Sequence, residues 1–201
     1  MTLLLVIALA YLCGSIPTGV IIANRLGINV RKVGSGNIGA TNVARSVGKK
    51  AGLLTLLGDA LKGLFPVLVV RLLDLGEAPL ACTAVAALLG HLFSPFLGFS
   101  GGKGVATGLG VFLGLSPQAI LLAVGLFAFT FAVSRIVSLA SLVATGVTPI
   151  LLFLLSYPKG HLWAGIVIAS LVIIRHHENV ARLLKGQEQK FSLNKSSSSA
   201  A

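Results

Sequence analysis

The chain alternates long apolar blocks with short polar interruptions, and the blocks have the length of membrane spans. A helix crossing the hydrocarbon core needs about 20 mostly apolar residues. Blocks at 2–24, 51–73, 78–98, 104–116, 118–133, 137–156 and 160–175 meet or approach that length. They predict an all-α integral membrane protein with about seven transmembrane helices. The fourth and fifth blocks are short and meet at Ser116–Pro117. They read either as two thin tilted spans or as one broken re-entrant element buried against its neighbours, so five or six spans are the alternatives. The first block has no basic segment ahead of it and no small-residue cleavage site, and is expected to be a retained span.

Composition supports lipid as the solvent. The 201 residues are 55% hydrophobic and 10% charged, where a soluble domain is about 25% charged. The net charge of +11 would suit a nucleic acid partner, but the placement of the cations points elsewhere. With seven spans, thirteen Lys and Arg fall on one side, among them Arg25, Arg31, Arg45, Lys103, Arg135, Arg175 and Arg182. Arg71 and Lys159 fall on the other, and Lys62 lies within a span. The basic side is cytoplasmic by the positive-inside rule. The N-terminus is therefore expected outside and the C-terminus in the cytoplasm, with no role for nucleic acid. Cys13 and Cys82 sit in apolar runs without metal-ligand spacing and read as buried thiols. Residues 1–191 read as one domain. The Ser/Ala-rich tail 192–201 reads as disordered and is consistent with an expression scar.

Four polar stretches interrupt the lipid-like sequence, and the predicted topology puts all four on the cytoplasmic face. VGSGNIGATNVAR sets Gly34, Gly36 and Gly39 among Ser35, Asn37, Thr41 and Asn42 and closes on Arg45. Glycines let backbone N–H groups form a concave anion site, and Arg offers a planar fork for phosphate; a plain Gly-rich connection is the equal alternative. FSGGKGVATGLG places Gly101, Gly102, Lys103 and Gly104 at a helix N-terminus, which attracts phosphate through unpaired donors and the dipole. It lacks the spacing of a P-loop, and a tight turn with a snorkelling Lys is the alternative. SRIVSLAS puts Ser138 and Ser141 on one helix face, suited to a ligand or to helix packing. RHHENVARLLKG brings Arg175, His176, Glu178, Asn179 and Arg182 out of the last span, adding an imidazole and a carboxylate. His176 and His177 are adjacent and point about 100° apart on a helix. No metal-ligand cluster stands out, so neither metal nor cofactor is expected. Asp59 and Lys62, three apart in the second span, read as a structural pair that lessens the cost of burial in lipid. His91 reads as a hydrogen-bonded internal group.

Taken in order, GSGNIGATN, GH…FSGGKGVAT, SLAS and RHHEN resemble the bacterial acyl-phosphate:glycerol-3-phosphate 1-acyltransferases, the PlsY-type family. The likeness runs from about Gly14 to Glu188. The chain departs from that pattern at Asn29, where an acidic residue is usual, at Ser100, where a Lys is common, and at Pro95, a proline displaced by one.

The resemblance implies a bacterial inner-membrane enzyme with its active site on the cytoplasmic face. Its substrates would be glycerol 3-phosphate and a long-chain acyl phosphate, and its products lysophosphatidic acid and inorganic phosphate. Gly101, Gly102, Lys103 and Gly104 would then cradle a phosphate group, that of the acyl phosphate. Ser35 and Asn37, with Gly34 and Gly36, would complete the pocket and steady the carbonyl oxygen. Arg45 and Lys103, with Ser141, Asn42, Thr41, Ser138 and Asn179, would hold glycerol 3-phosphate. His176 would orient the acceptor or act as base, unless the departing phosphate takes the hydroxyl proton. A transporter of phosphorylated anions is the rival class. It would need a polar path from both sides, and the outer half offers little beyond Asp74, Glu77 and Lys159.

Overall fold

The computed structural model describes residues 2–191, so the tail expected at 192–201 lies outside the described residues. Those residues form ten α-helices and two short 3-10 turns, with no strand among them. Among the described residues, five apolar stretches are long enough to cross a membrane: Leu3–Arg25, Lys49–Leu72, Glu77–Leu97, Pro117–Ser134 and Val137–Leu154.

The first expected span is two helices, α1 (Thr2–Gly14) and α2 (Thr18–Arg25). Pro17 lacks an N–H and interrupts the helical ladder, which strands backbone carbonyls inside an apolar protein. Neighbouring helices satisfy them. Ser94 Oγ donates to the Ser15 carbonyl at 2.7 Å and Lys62 Nζ to the Ile16 carbonyl at 2.8 Å. Lys62 also meets Asp59 at 2.7 Å, and Asp59 accepts from Thr18 Oγ1 at 2.9 Å. The Asp59–Lys62 pair thus pins the break as well as neutralising itself.

After a short α3 (Ala40–Ser46), the 24-residue α4 (Lys49–Leu72) and α5 (Glu77–Leu92) flank an interior helix, α6 (Val105–Leu115). With 11 residues α6 is roughly 16 Å long, about half the hydrocarbon thickness. Ser116 (φ −151°, ψ 70°) separates it from α7 (Pro117–Ser134). The short fourth block is therefore a half-length helix enclosed by its neighbours. Small residues let it approach: a Cβ at Gly110 would stand 1.8 Å from the Ala60 carbonyl oxygen, and one at Gly63 2.2 Å from that of Thr107. Arg71 donates to the Gly114 carbonyl at 2.7 Å near the C-terminal end of α6.

The core joins α4, α5 and α6 to α9 (Lys159–Arg175) through Val67, Leu88, Leu92, Val111, Leu115, Ile168 and Val172. α8 (Val137–Leu154) and α7 form a hairpin on one side, and α10 (His177–Leu184) closes the chain. The exterior is apolar, with Leu121, Leu122, Phe129, Val133, Phe153 and Trp163 exposed. Cys82 lies on that exterior and Cys13 is half-buried, so neither is the buried thiol expected. An apolar run in a lipid-facing helix does not imply a protein interior.

Candidate active site

The loop before α3 is built around Asn42, whose side chain is 2% exposed. Its Nδ2 donates to the carbonyls of Asn37 (2.8 Å), Val30 and Val33 (both 3.1 Å), and its Oδ1 accepts from Ser35 N at 2.9 Å. The chain can wrap this amide because Gly34 and Gly36 adopt φ of 58° and 71°. A Cβ at Gly34 would meet Asn42 Oδ1 at 2.3 Å. Asn42 was expected to reach a ligand; its hydrogen-bonding groups are instead committed to the loop. That arrangement leaves the Ser35 side chain exposed and Thr41 and Arg45 half-buried.

The Gly101–Gly104 segment also differs from the expected cradle. Gly101 N donates to the Leu92 carbonyl at 3.0 Å and Gly102 N to the His91 carbonyl at 3.2 Å. On the other side, Arg175 Nη2 and Nε donate to the carbonyls of Gly101 (3.0 Å) and Gly102 (3.3 Å). Arg31 donates to the Ser100 carbonyl at 2.6 Å. The two glycine amides are spent on the C-terminal end of α5, where helix carbonyls lack intrahelical donors. Besides Gly101, what faces the cavity is Lys103, Gly104 at φ 84°, and Val105 and Ala106 in the first turn of α6. Amides of a first turn have no intrahelical acceptor and suit an anion. Gly102 does not line the cavity. It packs on His91, whose Nδ1 meets Thr107 Oγ1 at 3.0 Å and lies 3.8 Å from Asp59 Oδ1.

A third group comes from α8, α10 and the residues after α10. Glu188, 9% exposed at its side chain, accepts from Ser138 Oγ (2.7 Å), Asn179 Nδ2 (2.5 Å) and Arg182 Nε (2.6 Å). Lys103 Nζ donates to Asn179 Oδ1. His176, at the junction of α9 and α10, contacts the Val172 carbonyl through Nδ1 at 2.7 Å. A carbonyl only accepts, so Nδ1 carries the proton, and in the neutral ring Nε2 keeps its lone pair. Burial first, and Lys103 nearby, hold the imidazole below its usual pKa; the Val172 carbonyl and Glu188 oppose them without cancelling. Burial and the charge on Arg182 likewise lower Lys103. Burial alone would raise the Glu188 carboxyl, but the hydrogen bonds from Ser138, Arg182 and Asn179 outweigh it and hold the group below the usual carboxylate range.

These groups surround one open cavity of about 620 Å³. It collects Gly34, Ser35, Gly36, Asn37, Thr41, Asn42, Arg45, Gly101, Lys103, Gly104, Ser138, Ser141, His176 and Asn179, every expected site residue except Gly102. It adds Arg175, His177, Arg182 and Glu188, and an apolar wall of Leu56, Val105, Phe127 and Val137. Glu188 carried no signal in the sequence beyond being a lone acid in a basic segment, since its partners lie 6 to 50 positions away. The cavity can hold one or two anionic groups beside an apolar chain.

The family model for glycerol-3-phosphate acyltransferase matches residues 4–186. A glycerol-3-phosphate acyltransferase of Trichlorobacter lovleyi is 52% identical over 185 residues, covering 92% of this chain and 95% of the relative. That of Geotalea daltonii is 50% identical over 182 residues, covering 90% and 94%. The crystal structure of PlsY, an integral membrane glycerol 3-phosphate acyltransferase, in its glycerol 3-phosphate form superposes with a TM-score of 0.92 at 44% identity, covering 96% of each chain. Its lysophosphatidic acid form superposes at 0.90 and 43% identity, covering 96% of this chain and 97% of that one. The chain belongs to the glycerol-3-phosphate acyltransferase family of integral membrane proteins, and it is a membrane-bound acyltransferase.

Proposed function

We propose that this enzyme transfers a fatty acyl group from acyl phosphate to the 1-hydroxyl of glycerol 3-phosphate, giving lysophosphatidic acid and inorganic phosphate. The observation that carries the reading is the single cavity in which two glycine-rich segments and the side chains of Arg45, Lys103, Arg175 and Arg182 meet an apolar wall. Two phosphates and one acyl chain account for all three features. The related PlsY structures are of a glycerol 3-phosphate form and a lysophosphatidic acid form. The chain crosses the bacterial inner membrane about seven times, counting the short α6 and its flanking residues as a crossing enclosed by other helices, with its N-terminus outside and its C-terminus and active site on the cytoplasmic side. The clustering of the basic residues on one face supports that orientation.

The acceptor hydroxyl oxygen attacks the carbonyl carbon of the mixed anhydride. The bond from that carbon to the phosphate oxygen breaks, and phosphate leaves. The donor is already activated, so the protein chiefly orients two anions and a chain. Lys103, Gly104 and the first-turn amides of α6 hold the acyl phosphate. Ser35 and Asn37 steady charge growing on the carbonyl oxygen. Arg45, Lys103, Ser141 and Asn179 clamp glycerol 3-phosphate, with Thr41 and Ser138 beside them. Asn42 acts through the loop it organises. His176 Nε2 accepts a hydrogen bond from the acceptor, and the departing phosphate takes the hydroxyl proton.

The test uses purified protein in detergent with glycerol 3-phosphate and long-chain acyl phosphate, acyl-CoA serving as the parallel donor. Phosphate release coupled to lysophosphatidate formation from acyl phosphate alone, lost in Lys103→Ala, is expected. Product from neither donor would overturn the reading. Turnover abolished in His176→Ala at saturating acceptor would make His176 the base instead.

A further inference from the structure

Three arginines on the cavity wall differ in whether hydrogen bonds already hold them. Arg175 donates to the carbonyls of Gly101 and Gly102 and also lies 6.0 Å from the Phe93 ring centroid, and Arg182 donates from Nε to Glu188. Arg45 is held by a ring alone: its guanidinium carbon lies over Phe191, 5.4 Å from the ring centroid, and among the described residues no side-chain hydrogen bond engages it. A guanidinium over an aromatic ring spends no N–H on that contact, and its free donors match phosphate bidentately. The Phe191 ring is itself anchored. Its backbone N–H donates to the Arg135 carbonyl at 2.7 Å, at the α7–α8 corner where Arg135 adopts φ 60°. Its ring meets Phe131 edge-on at 6.0 Å, and Phe131 stacks on the cavity residue Phe127 at 6.2 Å. Phe191 lies beyond residue 186, where the family-model match ends.

We infer that Phe191, carried back over the cavity by the segment after α10, is a positioning residue that presents the Arg45 fork to the phosphate of glycerol 3-phosphate. The inference rests on the reading of Arg45 as an acceptor clamp. Without the ring, Arg45 samples many rotamers and binding must order it again, which weakens acceptor affinity while the reacting atoms are untouched.

The experiment measures KM for glycerol 3-phosphate and kcat at saturating acyl phosphate in Phe191→Leu, Phe191→Ala and Phe191→Trp, each checked for a monodisperse detergent complex. Leu keeps apolar bulk without a π face; Trp keeps the face. The Leu and Ala variants are expected to raise KM for glycerol 3-phosphate roughly 3- to 30-fold, with kcat and the acyl-phosphate KM unchanged. Phe191→Trp is expected to match the parent. In an Arg45→Gln background, itself raising that KM, Phe191→Leu is expected to add nothing. A Leu variant equal to the parent, or one that still adds its full effect in the Arg45→Gln background, overturns the role of Phe191. An Arg45→Gln enzyme with an unchanged acceptor KM would instead sink the reading of Arg45 itself.

Discussion

Gly102 and His91 are in direct contact: the Gly102 N–H donates to the His91 carbonyl at 3.2 Å, and a Cβ at position 102 would stand 2.3 Å from His91 Nε2. The glycine is thus required by the buried ring beneath it, and it does not line the cavity. Gly102→Ala is expected to displace Lys103 and lower kcat/KM by about 100-fold, the scale of a 1 Å misplacement. Gly125→Ala, in open space on α7, is the control and is expected to behave as the parent. The coupled phosphate-release assay reads both.

Asn42→Ala removes the one side chain that ties together the Val30, Val33 and Asn37 carbonyls and the Ser35 amide. Orphaned buried polar groups cost about 1–3 kcal/mol each, and water entering the loop offsets part of that. Thermal unfolding in detergent is expected to shift down by roughly 5 °C or more, with activity lost even below the new transition.

Lys62 and Asp59 are predicted to be non-additive. Asp59→Asn leaves a buried ammonium unpaired, a loss on the order of 3–5 kcal/mol. Lys62→Met strands both the carboxylate and the Ile16 carbonyl, so it is expected to be the more damaging single change. The double variant should melt no lower than Lys62→Met alone. A strictly additive melting temperature would mean that the two groups do not act as a pair.

The His176 imidazole is depressed by burial, so the folded state binds its proton less tightly than the unfolded chain. Well above pH 6.5 the ring is neutral in both states and adds no pH dependence; as pH falls through 6.5 the unfolded state takes up the proton first and gains. Histidine 15N NMR, with His176→Ala to assign the signal, should place its titration below 6.5. A midpoint above that value would contradict the buried, Nδ1-protonated geometry.

Glu188 has the opposite linkage. Its folded carboxyl is held below the ordinary value of 4.5 by Ser138, Arg182 and Asn179 acting against burial. Its stabilisation is therefore present above about pH 4.5 and lost as pH falls through the folded value. The acid limb of melting temperature against pH should be shallower in Glu188→Gln than in the parent.

Several features were legible in the sequence because they depend on local composition. Apolar blocks marked the helices. Glycine-rich and basic stretches marked four segments, which the fold gathers into one cavity. Less legible were the partners of individual groups. Asn42, Gly101 and Gly102 look like ligand donors in a one-dimensional pattern; the Asn42 amide organises its own loop, and the two glycine amides bond the C-terminal end of α5. Chain order does not reveal which carbonyls a helix end leaves unpaired nearby.

The sequence by itself determined that the chain is helical and made for lipid, and which polar and basic segments would matter, because these follow from hydrophobicity and charge. Only the tertiary structure decided that the first span breaks at Pro17 under Lys62 and Ser94, that α6 is a half-length interior helix, and that Glu188 joins Ser138, Asn179 and Arg182. Each is a contact between distant positions. In an apolar interior every polar group needs a partner, and the packing of the helices selects which one it finds.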